Sequence, residues 1–192
     1  MDKKCIRFEK FEHAKLKVSI EKITYKEIEC KQVVFCEGFG MKGNPFFNDL
    51  PLAEAKGELI TIHAPGLNID FLLKSALFLI PLGENNYKVG ATFNHIDKTA
   101  APTQSGKLEL VEKLKKVINV PYEIIDQTAG IRPTTKDRRP FIGIHKEYAR
   151  LAVLNGLGTR GVMLAPTMAR SLFNYIEKGT TLDLEIDIKR FQ

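Results

Sequence analysis

Two stretches pair residue types and spacings that suit anion chemistry. The first is Gly130-Ile131-Arg132-Pro133-Thr134-Thr135-Lys136-Asp137-Arg138-Arg139-Pro140. One reading is a rigid, solvated loop. The other is anion capture, because a guanidinium is a planar fork that matches a carboxylate or phosphate bidentately. Arg132 stands between Gly130 and Pro133 at the end of a strand, which preorganises it, and Asp137 is expected to pair with Lys136, Arg138 or Arg139. The second stretch is Gly156-Leu157-Gly158-Thr159-Arg160-Gly161-Val162. At a strand-to-helix junction it aims backbone N–H groups and the positive end of a helix at whatever lies in front. The plainer reading is a tight turn.

A third stretch, Gly38-Phe39-Gly40-Met41-Lys42-Gly43, fits G-x-G-x-x-G. A dinucleotide site needs that motif to open a helix whose N-terminus holds the pyrophosphate. Asn44-Pro45-Phe46-Phe47-Asn48 follows without helical periodicity, and Pro51 is close behind, so the expectation is a strand ending in a glycine-rich loop. His63, His95 and His145 lie too far apart for zinc-ligand spacing, and no metal site is expected.

The positioning elements follow from periodicity. Lys15–Ile20 and Lys22–Ile28 alternate as half-buried strands, and Val33–Cys36 is a short apolar run expected to be a central strand. Glu58–Ile62, Ala76–Ile80 and Tyr87–Phe93 predict antiparallel sheet, with a turn at Gly83–Asn86. A helix from Thr103 or Ser105 to about Asn119 places Leu108, Val111, Leu114 and Ile118 on one face. Tyr122–Ile125, Phe141–Ile144 and Leu151–Leu154 are further strands. A last helix runs to Lys178, with Leu164, Met168, Leu172 and Ile176 inward and Gly179 as its stop.

The 192 residues, 44% hydrophobic and 27% charged, fit one or two small globular domains. No apolar run reaches bilayer-spanning length, and the charged start, Met1 to Arg7, is not a secretory signal. Cys5, Cys30 and Cys36 form no metal-spaced pair and are expected to be reduced thiols in a cytoplasmic protein. The net charge of +6 comes with lysines interleaved among glutamates, a solvated surface rather than a nucleic-acid face. Neither nucleic acid nor membrane is expected as a partner.

Ala129-Gly130-Ile131-Arg132-Pro133 with Lys136-Asp137 and Pro140–Gly143, followed by Asn155 through Pro166, resembles the FAD-dependent oxidoreductase family of D-amino acid oxidase, glycine oxidase and sarcosine oxidase, the glycine-oxidase type above all. Val33–Gly38, Leu50-Pro51, Lys56-Gly57-Glu58 and Val89–Thr92 add to the resemblance, which spans Val33 to Lys178. It implies that Arg132 holds a substrate carboxylate over the flavin. It implies that Gly38 lies near the cofactor. Gly158 and the N–H groups of Thr159, Arg160, Gly161, Val162 and Met163 would face the pyrimidine edge, where negative charge develops on reduction. The chemistry implied is oxidation of an amine or amino acid by hydride transfer to flavin N5.

Two departures from the family pattern bear on these expectations. The family's N-terminal strand–turn–helix has no counterpart in this sequence, so the chain reads as a C-terminal portion, expected to bind FAD weakly and to be inactive by itself. A separate N-terminal FAD-binding segment or a homo-oligomer is the partner expected. Phe78 stands where glycine-oxidase relatives tend to carry a tyrosine near the substrate, which puts a small amino-acid substrate in doubt. No cysteine follows Cys36 to carry a covalent flavin. The expected fold is α+β (mixed α/β) in two lobes. Residues 1–44 and 129–192 form the remnant of an FAD-binding domain, and 45–128 a substrate lobe of antiparallel sheet with one covering helix. The rival reading is a non-catalytic module or partner subunit with this fold.

Overall fold

The computed structural model describes residues 6–191, so Cys5 lies outside the described residues. The chain is mixed α/β, as expected, and divides into two units: Met1–Leu52 with Thr135–Gln192, and Ala53–Thr134. These boundaries fall later than residues 44 and 128. Phe47, Leu50 and Leu52 are buried in the core of the first unit with Phe35, Met41 and Phe141, which draws the loop after Asn44 into that unit.

The first unit opens with an antiparallel meander, β1 (Leu16–Val18), β2 (Ile23–Tyr25) and β3 (Ile28–Cys30). The stretch Lys22–Ile28, expected as one strand, is broken at Lys26, whose φ of 53° turns the chain. A second sheet has the order β10-β11-β4, with β4 at Val33–Phe35, β10 at Phe141–Ile144 and β11 at Leu151–Asn155. β11 runs antiparallel to β10 and parallel to β4. β11, buried at every position, is therefore the central strand. β4, expected at the centre, is an edge, and Val34 is 42% exposed. The apolar run alone could not say which strand has neighbours on both sides. Helix α2 (Gly161–Lys178) covers this sheet through Leu172, with Met168 and Ile176 beside it. Gly179, at φ 65°, ends the helix in the left-handed conformation. Pro166 is its sixth residue, where the missing N–H would have faced the Val162 carbonyl.

The second unit is a five-stranded sheet of order β6-β7-β8-β5-β9. Its strands are β5 (Leu52–His63), β6 (Leu73–Lys74), β7 (Phe78–Gly83), β8 (Asn86–Gly90) and β9 (Glu123–Thr135). Glu84 and Asn85, both at positive φ, turn β7 into β8 as a two-residue hairpin requires. Helix α1 (Gln104–Leu114) starts at Thr103, whose hydroxyl accepts from Gly106 N–H. Its buried face is Leu110 and Leu114, packed with Ile60, Ile62, Leu79 and Val89. Leu108, expected inward, is 54% exposed. Gly106, one turn before Leu110, lies against the buried Glu58 and sets this rotation. The Gly130–Pro140 stretch is not one loop either: Gly130–Thr135 belongs to β9, an end strand in which Pro133 is tolerated.

Candidate functional site

Alternation along β5 divides the second unit's sheet into two faces. Ile60 and Ile62 point into the core under α1. Gly57 and Leu59 point the other way, toward a face that carries Arg132 from the neighbouring β9. A Cβ on Gly57 would overlap the Arg132 guanidinium, so the cation rests directly on the β5 backbone. A Cβ on Gly90 would overlap the Leu59 side chain and crowd the Phe78 ring, so Leu59 and Phe78 share this face across β5, β8 and β7.

Arg132 is half-buried, and burial pulls its pKa below the ordinary arginine value. Its guanidinium donates two long bonds to Thr92 O, at 3.3 and 3.4 Å, and stacks 5.4 Å from the centre of the Phe93 ring. It is in no salt bridge among the described residues. Asp137, expected to pair with its sequence neighbours, accepts instead from Arg190 (3.2 Å) and from Arg139 N–H (3.0 Å). A partly desolvated guanidinium that meets only a carbonyl and an aromatic ring has free N–H donors able to take a planar anion.

Behind Gly57, its flanking residues hold the opposite side of β5. Lys56 Nζ, buried, donates to Asp97 Oδ2 (2.5 Å) and Ala101 O (2.6 Å). Glu58 accepts from Thr103 N–H (2.8 Å), Thr103 Oγ1 (2.6 Å) and Gln127 Nε2 (2.8 Å). Burial opposes ionisation of Glu58, but these donors and Lys56 outweigh it and hold its carboxyl below the usual range.

In the first unit, β4 and β11 run parallel and end side by side, the arrangement at whose carboxyl ends ligands bind in α/β sheets. Gly38 follows β4, and Gly156–Met163 follows β11. The Asn155 side chain joins them, donating from Nδ2 to Gly38 O (2.8 Å) while Oδ1 accepts from Gly156 N–H (2.8 Å). Gly156, at φ 71°, leaves no room for a side chain beside Thr135. Gly158–Arg160 forms a single 3₁₀ turn, and α2 begins at Gly161 with no side chain capping its N–H groups. Val162 is 97% exposed. An uncapped helix end offers free N–H groups and a positive potential, which suit an anionic or electron-rich partner. Gly38–Gly43 itself is a six-residue 3₁₀ segment and opens no α-helix, so it is not a pyrophosphate cradle.

The structure thus brings Gly38 together with Gly158, Thr159, Arg160, Gly161, Val162 and Met163 in one unit, while Arg132 belongs to the other. The expectations missed Gly57, Thr92 and Phe93, which seat Arg132, and Asn155, which joins the two glycine-bearing turns. Among the described residues no group of three or more His, Cys, Asp or Glu could hold a metal ion, and no helix is long and apolar enough to cross a membrane.

Residues 6–174 match the model of the family described as FAD dependent oxidoreductase. The chain belongs to this family. Within it, the chain is similar to glycine oxidase of Bacillus licheniformis, 31% identical over 124 residues that make up 63% of this chain and 34% of that protein. It is also similar to glycine oxidase of Bacillus subtilis, 30% identical over 138 residues, with 66% and 36% covered. The chain spans about a third of the length of these curated relatives. The solved structure of glycine oxidase from Geobacillus kaustophilus superposes with a TM-score of 0.69 at 24% identity, covering 85% of this chain and 46% of that one. The fold is that of FAD-dependent oxidoreductases.

Proposed function

We propose that this chain supplies the substrate anchor and the flavin-ring contacts of an FAD-dependent enzyme that oxidises an amine or amino acid. The observation that carries the reading is Arg132, a half-buried cation set on glycine backbone and in no salt bridge among the described residues. A bound carboxylate would offset the desolvation that this guanidinium suffers, and the fork would fix the ligand's orientation. FAD, when bound, would supply the hydride acceptor, N5.

The chain's own residues bind and orient. Arg132 holds the carboxylate. Thr159, Arg160, Gly161, Val162 and Met163 present N–H groups to the ring edge that gains negative charge, with Gly38 and Gly158 keeping side chains clear. Unit Ala53–Thr134 is accordingly the substrate lobe, and the other unit the flavin lobe.

The test is anaerobic mixing of amines and amino acids with enzyme reconstituted with FAD and with a polypeptide that supplies the pyrophosphate-binding segment. Carboxylate-bearing amines are expected to bleach the flavin, and Arg132→Ala to abolish the bleaching at the same concentrations. A folded, flavin-loaded protein that no member of the panel reduces would overturn this reading in favour of a non-catalytic module.

A further inference from the structure

We propose that Gly57 is a positioning residue for Arg132 and that Phe93, directly opposite Gly57, selects carboxylates that carry an apolar group. This rests on the reading of Arg132 as a carboxylate anchor. The chain after β8 returns alongside β5. Lys56 and Asn94 exchange N–H···O bonds of 2.7 and 2.9 Å, and Thr92 N–H donates to Glu58 O at 3.2 Å while its hydroxyl accepts from Glu58 N–H at 2.9 Å. Residues 56 and 58 are thereby paired with 94 and 92, which places Phe93 across from Gly57 on the same face.

From the other side of β5, Arg132 reaches over the same glycine, and the two side chains meet as a cation–π pair. With any side chain at position 57, the guanidinium would have to leave its seat. Lys56 and Glu58, on the opposite face, lock the flanking backbone through Asp97, Ala101 and Thr103, so the seat cannot widen easily.

The ring has a second consequence. Phe93 is 55% exposed, and Leu59 and Phe78 lie half-buried on the same face. A carboxylate on Arg132 therefore lies beside apolar surface. Acetate would leave that surface wet, whereas phenylacetate would cover it and bind about tenfold more tightly.

The experiment titrates the full 192-residue chain with acetate and with phenylacetate, following the Arg132 side-chain Nε–Hε resonance by NMR, assigned by its loss in Arg132→Lys. Phenylacetate is expected to bind about tenfold more tightly. Phe93→Ala should bring the two affinities within threefold, and Phe93→Tyr should restore the preference, a rescue that a purely structural role would not produce. Gly57→Ala should move the resonance and weaken both ligands tenfold or more. Should Gly57→Ala not fold, the exposed Phe93 variants decide alone. Equal affinities in the parent protein, or a preference that survives Phe93→Ala, would overturn the proposal while leaving the anchor intact. A resonance that neither ligand moves would overturn the anchor as well.

Discussion

The buried ammonium of Lys56 and the carboxylate of Asp97 lie 2.5 Å apart, joining the middle of β5 to the loop that precedes α1. The Lys56 hydrogen bond, helped by Thr99 N–H and its hydroxyl, lowers the Asp97 carboxyl from 3.8 to about 2. A carboxyl depressed in the folded state stabilises above its unfolded value and loses that contribution as pH falls through its folded value. Stability from this pair should be full above about pH 5 and vanish between about pH 4 and pH 2. Asp97→Asn should lower the urea midpoint at pH 7, and the gap from the parent should close across that acid window. A gap that stays constant down to pH 2.5 would show that the pair is not titrating as stated.

Two glycines should respond to alanine for different reasons. At Gly179 the φ of 65° is the obstacle and no atom lies near the added methyl, so Gly179→Ala should cost about 1 kcal/mol, and Gly179→Asn less. At Gly106, in the first turn of α1, alanine gains up to about 1 kcal/mol of helix propensity. Its methyl would also overlap the buried Glu58 carboxylate, which Thr103 and Gln127 hold in place, and overpacking costs about 1–3 kcal/mol. The clash should win. Denaturant unfolding of both variants checks this, and a stabilised Gly106→Ala would reverse the ranking.

In the reconstituted enzyme, Arg132→Ala should lower kcat/KM for carboxylate-bearing substrates by the equivalent of about 2–5 kcal/mol. Arg132→Lys should rescue little, because a point charge does not reproduce the fork. Arg160→Ala should be mild. Arg160 is exposed, and its side chain makes one long bond, 3.4 Å to Arg138 O. With the ring held by backbone N–H groups, as proposed, the flavin absorbance spectrum should stay close to the parent's in both alanine variants. Steady-state kinetics decide, and a collapse confined to Arg160→Ala would transfer the anchor to that residue.

Residues 1–192 by themselves should bind FAD more weakly than micromolar. In the proposed arrangement the helix end at Gly161 would serve the ring, and the G-x-G-x-x-G stretch forms a 3₁₀ segment that opens no α-helix to hold a pyrophosphate. Calorimetric titration measures this directly. A sub-micromolar dissociation constant would mean that other residues of this chain hold the phosphates.

Much of this protein was legible in one dimension because its causes are local. Alternating and apolar runs located β10, β11 and, in the second unit, β7, β8, part of β5 and the start of β9, while β6 and the rest of β9 went unread. The 3.6-residue stripe and Gly179 bounded α2, and Thr103 marked the start of α1. Arg132 and the glycine-rich turn after β11 stood out because guanidinium forks and bare N–H groups are chemistry that residue type alone dictates.

Other features depended on which strands become neighbours, which no local pattern encodes. β4 looked central because an apolar run records burial and not the number of flanking strands; its edge position follows from β11 taking the middle. Leu108 faces out because Gly106 must dock on Glu58, a contact 48 residues away in the chain. Asp137 pairs with Arg190 across 53 residues instead of with the arginines beside it. The seat of Arg132 is the clearest case. Gly57 and Phe93 carry no signal of their own in the sequence, and only the pairing of β5 with β9 on one side and with residues 92–94 on the other stacks the Arg132 cation on bare backbone against an aromatic ring.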